Sequence, residues 1–197
     1  MITIILAGGK SSRMGQNKAL MPIGGVRVID RIIAEFRPVS EKVIVIANDA
    51  EPYQNLNVLL LVDAPSYKGQ GPLAGIYTGL YTAEEGPCLV VACDMPFASA
   101  KLGCQLIDIL EKNDRDAVIP TDPERIHPLF AAYNARIAEA AKAALEDGKR
   151  SVKSMLDRID AEYVDVGEGI KDVWNMNTSQ DYIKAAEMAK GCEENDV

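Results

Sequence analysis

Directly after the first apolar run of the chain comes a glycine-rich, cationic segment, Leu6-Ala7-Gly8-Gly9-Lys10-Ser11-Ser12-Arg13-Met14-Gly15-Gln16-Asn17-Lys18. Glycines let backbone N–H groups turn inward around phosphate oxygens, and lysine or arginine neutralises the charge gathered there. A triphosphate suits such a loop, with Arg13 and Lys18 as its cations. On the glycines alone, a plain turn after a strand is an equal reading; the added cations weigh against it. Two better-known phosphate loops are excluded by spacing. Gly9 and Gly15 are separated by five residues and followed by Gln16, so G-x-x-x-x-G-K-[ST] is absent, as is G-x-G-x-x-G.

Further groups able to do chemistry stand where apolar runs stop. Asp94 follows Val90-Val91-Ala92-Cys93 and precedes Met95-Pro96, where a carboxylate can face a ligand crevice and hold a hard cation such as Mg²⁺ bridging phosphates. Asp63 ends another run, and Asn48 could reach a base or ribose. Each of the three could also be a turn or cap residue, Asn48 most readily and Asp94 least. Gly71 to Gly75 could bring backbone close to a flat base, with Pro72 fixing the turn, or could simply open a helix with Pro near its first position. Asn175 and Asn177 could bind an amide edge through paired donors and acceptors, or cap the helix that follows. His127, the single histidine, has no Ser or Cys nucleophile beside it in sequence and reads first as a structural or substrate-positioning group, and only second as a catalytic base. Trp174 reads as core or pocket wall.

These residues need a scaffold that gathers strand ends. Ile2 to Ala7, Val43 to Ala47, Val58 to Val62, Cys88 to Ala92 and Ala117 to Ile119 are short β-branched or Leu-rich runs bounded by turn residues, the pattern of strands buried on both faces. Between them, Ile29, Ile32, Ile33 and Phe36 share one helical face, as do Leu102, Leu106, Ile109 and Leu110. The alternation predicts a single α/β domain over 1–190, Rossmann-like, with a mostly parallel sheet and helices on both faces. Beyond Pro120 the spacing predicts a strand over 127–134, helices over 135–146 and 152–159, a strand over 161–166 and a helix over 178–190 capped by Thr178 or Asn177, with Asp181 in its first turn. Residues 191–197 read as a frayed tail. In an open α/β sheet ligands sit beyond the carboxyl ends of strands. That rule points to Gly8 onward, Asn48, Asp63, Asp94 and Asp122.

Composition narrows the partners. A chain of 197 residues with 48% hydrophobic and 25% charged residues is an ordinary globular composition, able to bury about 70% of the surface its unfolded form exposes. The formal charge of -8 repels nucleic-acid backbones and anionic membranes, so neither is an expected partner, and a polyanionic ligand must be attracted locally. Cys88, Cys93, Cys104 and Cys192 show no C-x-x-C pair or metal-ligand spacing and read as reduced thiols. No run of 18 apolar residues occurs, and the opening run is too short for a signal segment, which points to the cytoplasm.

The segment L-A-G-G-x-S-x-R-M-G-x-x-K resembles the signature of nucleotidyltransferases that make activated sugars, isoprenoid precursors and cofactor dinucleotides. The likeness continues through Gly71-Pro72-Leu73-Ala74-Gly75, Val90 to Pro96, His127-Pro128-Leu129 and Trp174-Asn175-Met176-Asn177-Thr178, nearly the whole chain, and the compact size is similar to that of the molybdenum cofactor guanylyltransferases. The resemblance implies a nucleotide-diphospho-sugar transferase-like fold. It implies nucleotide contacts from Leu6, Ala7, Gly8, Gly9, Lys18, Asn48, Asp63, Gly71, Gly75 and Asp94, catalytic weight on Arg13, Lys18 and Asp94, Mg²⁺ on Asp94, and acceptor contacts from His127, Asn175 and Asn177. The implied substrates are GTP and molybdopterin, with transient contact to proteins that deliver or receive the cofactor. Cytidylyl transfer to molybdopterin, nucleotidyl transfer to another small phosphorylated acceptor, and a nucleotide-binding regulator without turnover remain alternatives; the presence of both Lys18 and Asp94 speaks against the last.

Overall fold

A computed structural model describes residues 1–8, 17–167 and 171–193, the last three by backbone alone. Its central sheet follows from the apolar runs. Strands β1 (Ile2–Leu6), β4 (Lys42–Ile46), β5 (Leu59–Leu61), β6 (Pro87–Ala92), β7 (Ala117–Thr121), β8 (Phe130–Asn134) and β9 (Ala161–Asp165) form one seven-stranded sheet in the order β5-β4-β1-β6-β8-β7-β9. Of these seven, β8 runs antiparallel to its neighbours β6 and β7, and the rest share one direction. A short hairpin, β2 (Pro22–Ile23) with β3 (Val26–Arg27), stands apart from it.

Side-chain alternation along β1 divides the core. Ile5, with Val45 and Val91, faces a cluster supplied by α1 (Val28–Phe36), α3 (Ala100–Lys112) and α6 (Ser179–Glu193). Ile4, with Ile44 and Val90, faces α2 (Pro72–Ala83), α4 (Ala138–Glu146) and α5 (Val152–Leu156). Both faces of β1, β4 and β6 are therefore covered, which is why these strands read as continuous apolar runs; the run from Val58 to Val62, expected to be buried on both faces, is instead the edge strand β5, with Leu59 and Val62 exposed. In α1, Ile29, Ile32, Ile33 and Phe36 are all buried as their spacing predicts; in α3, Ile107 is buried and Ile109 only partly so.

Some boundaries differ from the sequence reading for local reasons. His127 to Leu129 form a turn before β8 instead of its first residues: Phe130 N–H donates to His127 O at 3.1 Å, and Pro128 has no N–H to give a ladder. β7 continues through Pro120 to Thr121, paired with parallel β9. The helix after Ser151 is shorter than expected, ending at Leu156. The sequence offers the entry of α2 at Pro72 but not its extent, because Gly75 and Gly79 weaken its propensity. Those glycines serve close packing: a Cβ at Gly79 would lie 2.5 Å from Ile4 Cγ2, so only a bare backbone lets α2 lie on β1. α6 reaches Glu193; the remainder of the tail expected to fray lies outside the described residues. Cys88, Cys93 and Cys104 are free thiols, and no described helix is long and apolar enough to cross a membrane.

The chain fills one side of β1 with β4 and β5, then crosses over through α2 to place β6 on the other side. The order of strands thus reverses between β1 and β6, the place where an open α/β sheet leaves a crevice beyond its carboxyl ends.

Candidate active site

Backbone hydrogen bonds extend the parallel ladder one step past the strands before the chains part. Ala7 N–H donates to Ile46 O at 2.8 Å, Ala47 N–H to Leu61 O at 2.9 Å and Cys93 N–H to Leu6 O at 3.0 Å. Gly8, Asn48, Asp63 and Asp94 therefore emerge together at the same edge. A cavity of about 570 Å³ opens there, with Leu6, Ala7, Gly8, Asn48 and Asp63 on its walls and Gly71 and Gly75 at the entry to α2. Gly71 has φ +87°, a conformation few side chains tolerate, and a Cβ on Gly75 would come 3.0 Å from Leu6 Cδ2. The segment from Gly71 to Gly75 is thus both a helix entry with Pro72 at its start and a wall of the cavity.

Asp63 organises this chamber. Buried at 4% exposure, its Oδ2 accepts from Asn48 Nδ2 at 2.6 Å and from Gly69 N–H at 3.1 Å. Because a carboxylate only accepts, it fixes which way the Asn48 amide points. The Asn48 Oδ1 is then left buried, with no hydrogen-bond partner among the described residues. A buried acceptor in that condition calls for a donor such as a ribose hydroxyl or a base N–H.

A smaller cavity of about 240 Å³ shares Leu6, Ala7, Gly8 and Pro72 with the first and adds Lys18 and Asp94. Asn17 starts the short 3-10 turn over Lys18–Leu20 by accepting from Ala19 N–H at 3.1 Å. Lys18 Nζ lies 3.6 Å from Asp94 Oδ2 and donates to Asn177 Oδ1 at 2.9 Å. Burial pushes the Asp94 carboxyl above its usual range, and the neighbouring Lys18 works against that shift. Asp94 Oδ1 is buried without a partner among the described residues. Met176 N–H donates to Asp94 O at 2.7 Å, tying the Trp174 to Thr178 segment to the end of β6.

Among the described residues no group of three acidic, cysteine or histidine side chains is arranged to hold a metal. What Asp94 offers is one unengaged carboxylate oxygen. That suits Mg²⁺, which keeps water and takes most of its remaining ligands from substrate phosphates. It does not suit a metal that needs a full protein cage.

The three residues assigned by resemblance to an acceptor have different partners. His127 lines a further cavity of about 480 Å³ together with Arg125, Lys171, Trp174 and Lys184. Its Nε2 is 2.7 Å from Asp122 Oδ2, and its N–H donates to Pro120 O, so the ring is held by the loop around it. The backbone N–H groups of Glu124 and Arg125, together with His127, hold the Asp122 carboxyl below its usual range against the effect of burial. Lys184 Nζ sits 5.6 Å over the Trp174 ring, and Phe97 packs against the same indole. Asn177 reaches Lys18 instead, and Asn175 keeps a buried Oδ1 without a partner among the described residues. Thr178 is the cap of α6: its Oγ1 accepts from Asp181 N–H, while Asp181 Oδ2 accepts from Asn177 and Thr178 N–H, each at 2.8 Å. Gly9 and Arg13 lie outside the described residues.

Tyr53, Asn17 and Lys68 were not singled out by sequence reasoning, yet all three line the larger cavity. Tyr53 lies between Glu51-Pro52 and an Asn-rich turn, where no periodicity marks it.

Comparison with known proteins gives a consistent picture. Residues 3–163 match the family model described as MobA-like NTP transferase domain. The chain is 36% identical over 189 residues to a protein named probable molybdenum cofactor guanylyltransferase from Bacillus cereus (strain G9842), covering 92% of this chain and 94% of that one. A Bacillus anthracis protein of the same name, from strain CDC 684 / NRRL 3495, is 36% identical over 188 residues with the same coverage. Among solved structures, molybdopterin-guanine dinucleotide biosynthesis protein A from Archaeoglobus fulgidus superposes with a TM-score of 0.85 at 25% identity, covering 97% of this chain and 100% of that one. The 2-C-methyl-D-erythritol 4-phosphate cytidylyltransferase of Thermus thermophilus superposes with a TM-score of 0.72 at 18% identity, with 95% and 98% covered, and shares the fold.

Proposed function

The chain belongs to the MobA-like NTP transferase family, and we propose on that footing that it is a molybdenum cofactor guanylyltransferase, joining GMP from GTP to the phosphate of molybdopterin. In this reaction an oxygen of the molybdopterin phosphate attacks the α-phosphorus of GTP. The bond from that phosphorus to the oxygen bridging the β-phosphate breaks, and pyrophosphate leaves with the electron pair. The nucleophile is already anionic at neutral pH, so the protein need supply neither a covalent nucleophile nor a strong base. Alignment and charge neutralisation are its tasks.

The observation that carries this reading is the convergence of Lys18 and Asp94 in the smaller cavity, which shares walls with the larger one beside β1, with Asn177 accepting from Lys18. The larger cavity would take the nucleoside, with Asn48 Oδ1 accepting from it and α2 entering beside the base. The smaller would take the phosphates. Lys18 would exchange its Asn177 contact for phosphate oxygens, joined by Arg13 and the N–H groups of the glycine segment. Asp94 would hold Mg²⁺ through its free Oδ1; when bound, the ion supplies neutralisation of the charge that grows on the α-phosphate and the departing pyrophosphate. On the acceptor side we place His127 and its cationic chamber, with Asn175 facing the second substrate. Action in the cytoplasm, and brief contact with proteins that deliver or accept the cofactor, belong to the same proposal.

The test is calorimetric titration with GTP, ATP and CTP in the presence of Mg²⁺, beside pyrophosphate release with molybdopterin. GTP should bind tightest and release pyrophosphate only when molybdopterin is present. Binding of CTP or ATP ten times tighter than GTP, a difference of about 1.4 kcal/mol, would overturn the guanylyl assignment.

A further inference from the structure

Lys18 can act on a phosphate only if the turn that carries it is fixed relative to the end of β1, and between these two points the sequence runs through nine residues, 9–17, rich in glycine and serine. Among the described residues a direct tie between these two points comes from the short 3-10 turn Glu51–Tyr53 that follows β4.

Tyr53 is 1% exposed, and its ring packs in the cluster that contains Ile5, Ala7 and Val45. Its hydroxyl lies at the junction of the two ends. Asn17 Nδ2 donates to Tyr53 Oη at 2.8 Å, and Tyr53 Oη donates to Ala7 O at 3.3 Å. The other side of the same amide, Asn17 Oδ1, accepts from Ala19 N–H at 3.1 Å and starts the turn that bears Lys18. The donors and acceptors are fully assigned: one phenolic proton goes to Ala7, one lone pair takes the Asn17 proton, and the Asn17 oxygen is left to its cap. Burial pushes the phenol up to about 12, more than the Asn17 donor pulls it down, so at neutral pH the hydroxyl keeps the proton this arrangement needs.

We propose that Tyr53 is a positioning residue for nucleotide transfer, joining Ala7 at the end of β1 to Asn17 and thereby setting where Lys18 stands. This rests on the guanylyltransferase reading above. Tyr53 touches no reacting atom in this account; it acts through Asn17 and Ala7. Its effect should therefore fall on the nucleotide and not on the acceptor.

The experiment uses Tyr53→Phe, which keeps the ring in the core and removes only the hydroxyl, with Asn17→Ala and the double variant. GTP affinity with Mg²⁺ is measured by calorimetry, the KM of each substrate by pyrophosphate release, and folding by thermal melting. Tyr53→Phe is expected to raise the Kd and KM for GTP about tenfold while changing the molybdopterin KM less than twofold. In the Asn17→Ala background the same change should cost little more, because the link is already cut. Should Tyr53→Phe melt far below wild type, Asn17→Ala breaks the same link from an exposed position and must show the same split between substrates. Unchanged GTP affinity in Tyr53→Phe, equal losses for both substrates, or fully additive effects in the double variant would each overturn the positioning role. If wild type itself binds no nucleoside triphosphate, it is the guanylyltransferase reading that fails, and this inference with it.

Discussion

The two halves of the sheet are built on different terms. On the β1, β4 and β5 side, every strand runs parallel, and the cavity is walled by backbone and by a buried polar network: Asp63 holds Asn48 and Gly69, and Tyr53 holds Ala7 and Asn17. On the β8, β7 and β9 side an antiparallel strand interrupts the pattern, and the cavity is walled by long cations, Arg125, Lys171 and Lys184, around His127 and Trp174. The first chamber is pre-formed, with single unengaged acceptors left for a ligand. The second is walled by long charged side chains and an indole, with His127 held by Asp122. A site that must align a triphosphate to a fraction of an ångström gains from rigidity, whereas one that receives a bulky second substrate can be completed by flexible side chains. Asp94 and Lys18 stand where the halves meet, with Met176 and Asn177 reaching across from the second.

The sharpest way to break this comparison is Asp94→Asn. If the unpartnered Oδ1 serves a metal at the junction, turnover should fall about a thousandfold, since metal help on a transferring phosphoryl group is worth several kcal/mol. Stability should move the other way. The folded-state pKa of Asp94 is raised by burial, so its folded form prefers the proton, and stability is lost as pH climbs from the ordinary carboxylate range through the raised value. Removing the charge relieves that cost, so at neutral pH the variant should melt no lower than wild type. Pyrophosphate release across a Mg²⁺ series beside a thermal melt reads both quantities; near wild-type turnover at unchanged Mg²⁺ demand would remove the metal from Asp94.

A paired substitution sharpens the division itself. Lys18→Ala should lower kcat as well as GTP affinity, with kcat/KM down about a hundredfold, because its contact strengthens as the leaving pyrophosphate gains charge. His127→Gln should raise the molybdopterin KM about tenfold and leave GTP affinity within twofold. Should His127→Gln damage GTP binding as much as acceptor use, the chambers are not separate in function.

The smallest expected effect concerns the cap that presents Asn177 to Lys18. Burial pushes the Asp181 carboxyl up, but the N–H groups of Asn177 and Thr178 and the Thr178 hydroxyl outweigh it, and the net shift is downward. A depressed folded pKa means stability that is present above the ordinary carboxylate range and lost as pH falls through the lower value. Asp181→Ala should thus cost about 1 kcal/mol at pH 7, roughly 2–4 °C in Tm, and the gap from wild type should narrow below about pH 4. A gap that stays constant down to about pH 2.5, well below the ordinary carboxylate range, would show that the carboxylate charge does nothing there.

Much of the first chamber was legible in the sequence. β1, β4 and β6 announce themselves because a strand covered on both faces must be apolar throughout, and β5 is apolar though it lies at the exposed edge; the residues that break those runs, Gly8, Asn48, Asp63 and Asp94, are by that fact at strand ends on one edge. The Thr178 cap and the buried faces of α1 and α3 were legible for the same reason: their signals are local, within a turn or two of helix. The body of α2 beyond its Pro72 entry was hidden because its glycines answer to β1 and not to helix propensity. The antiparallel course of β8 was hidden because direction is a property of pairing, which no single strand carries. Asn177 meets Lys18 from 159 positions away, and Tyr53 meets Asn17 from 36. Residue types told which groups could bind phosphate, a metal or an amide edge. Only the folded sheet decided which of them touch, because contacts between distant segments depend on how strands order and helices cross, and those are settled by the packing of the whole chain.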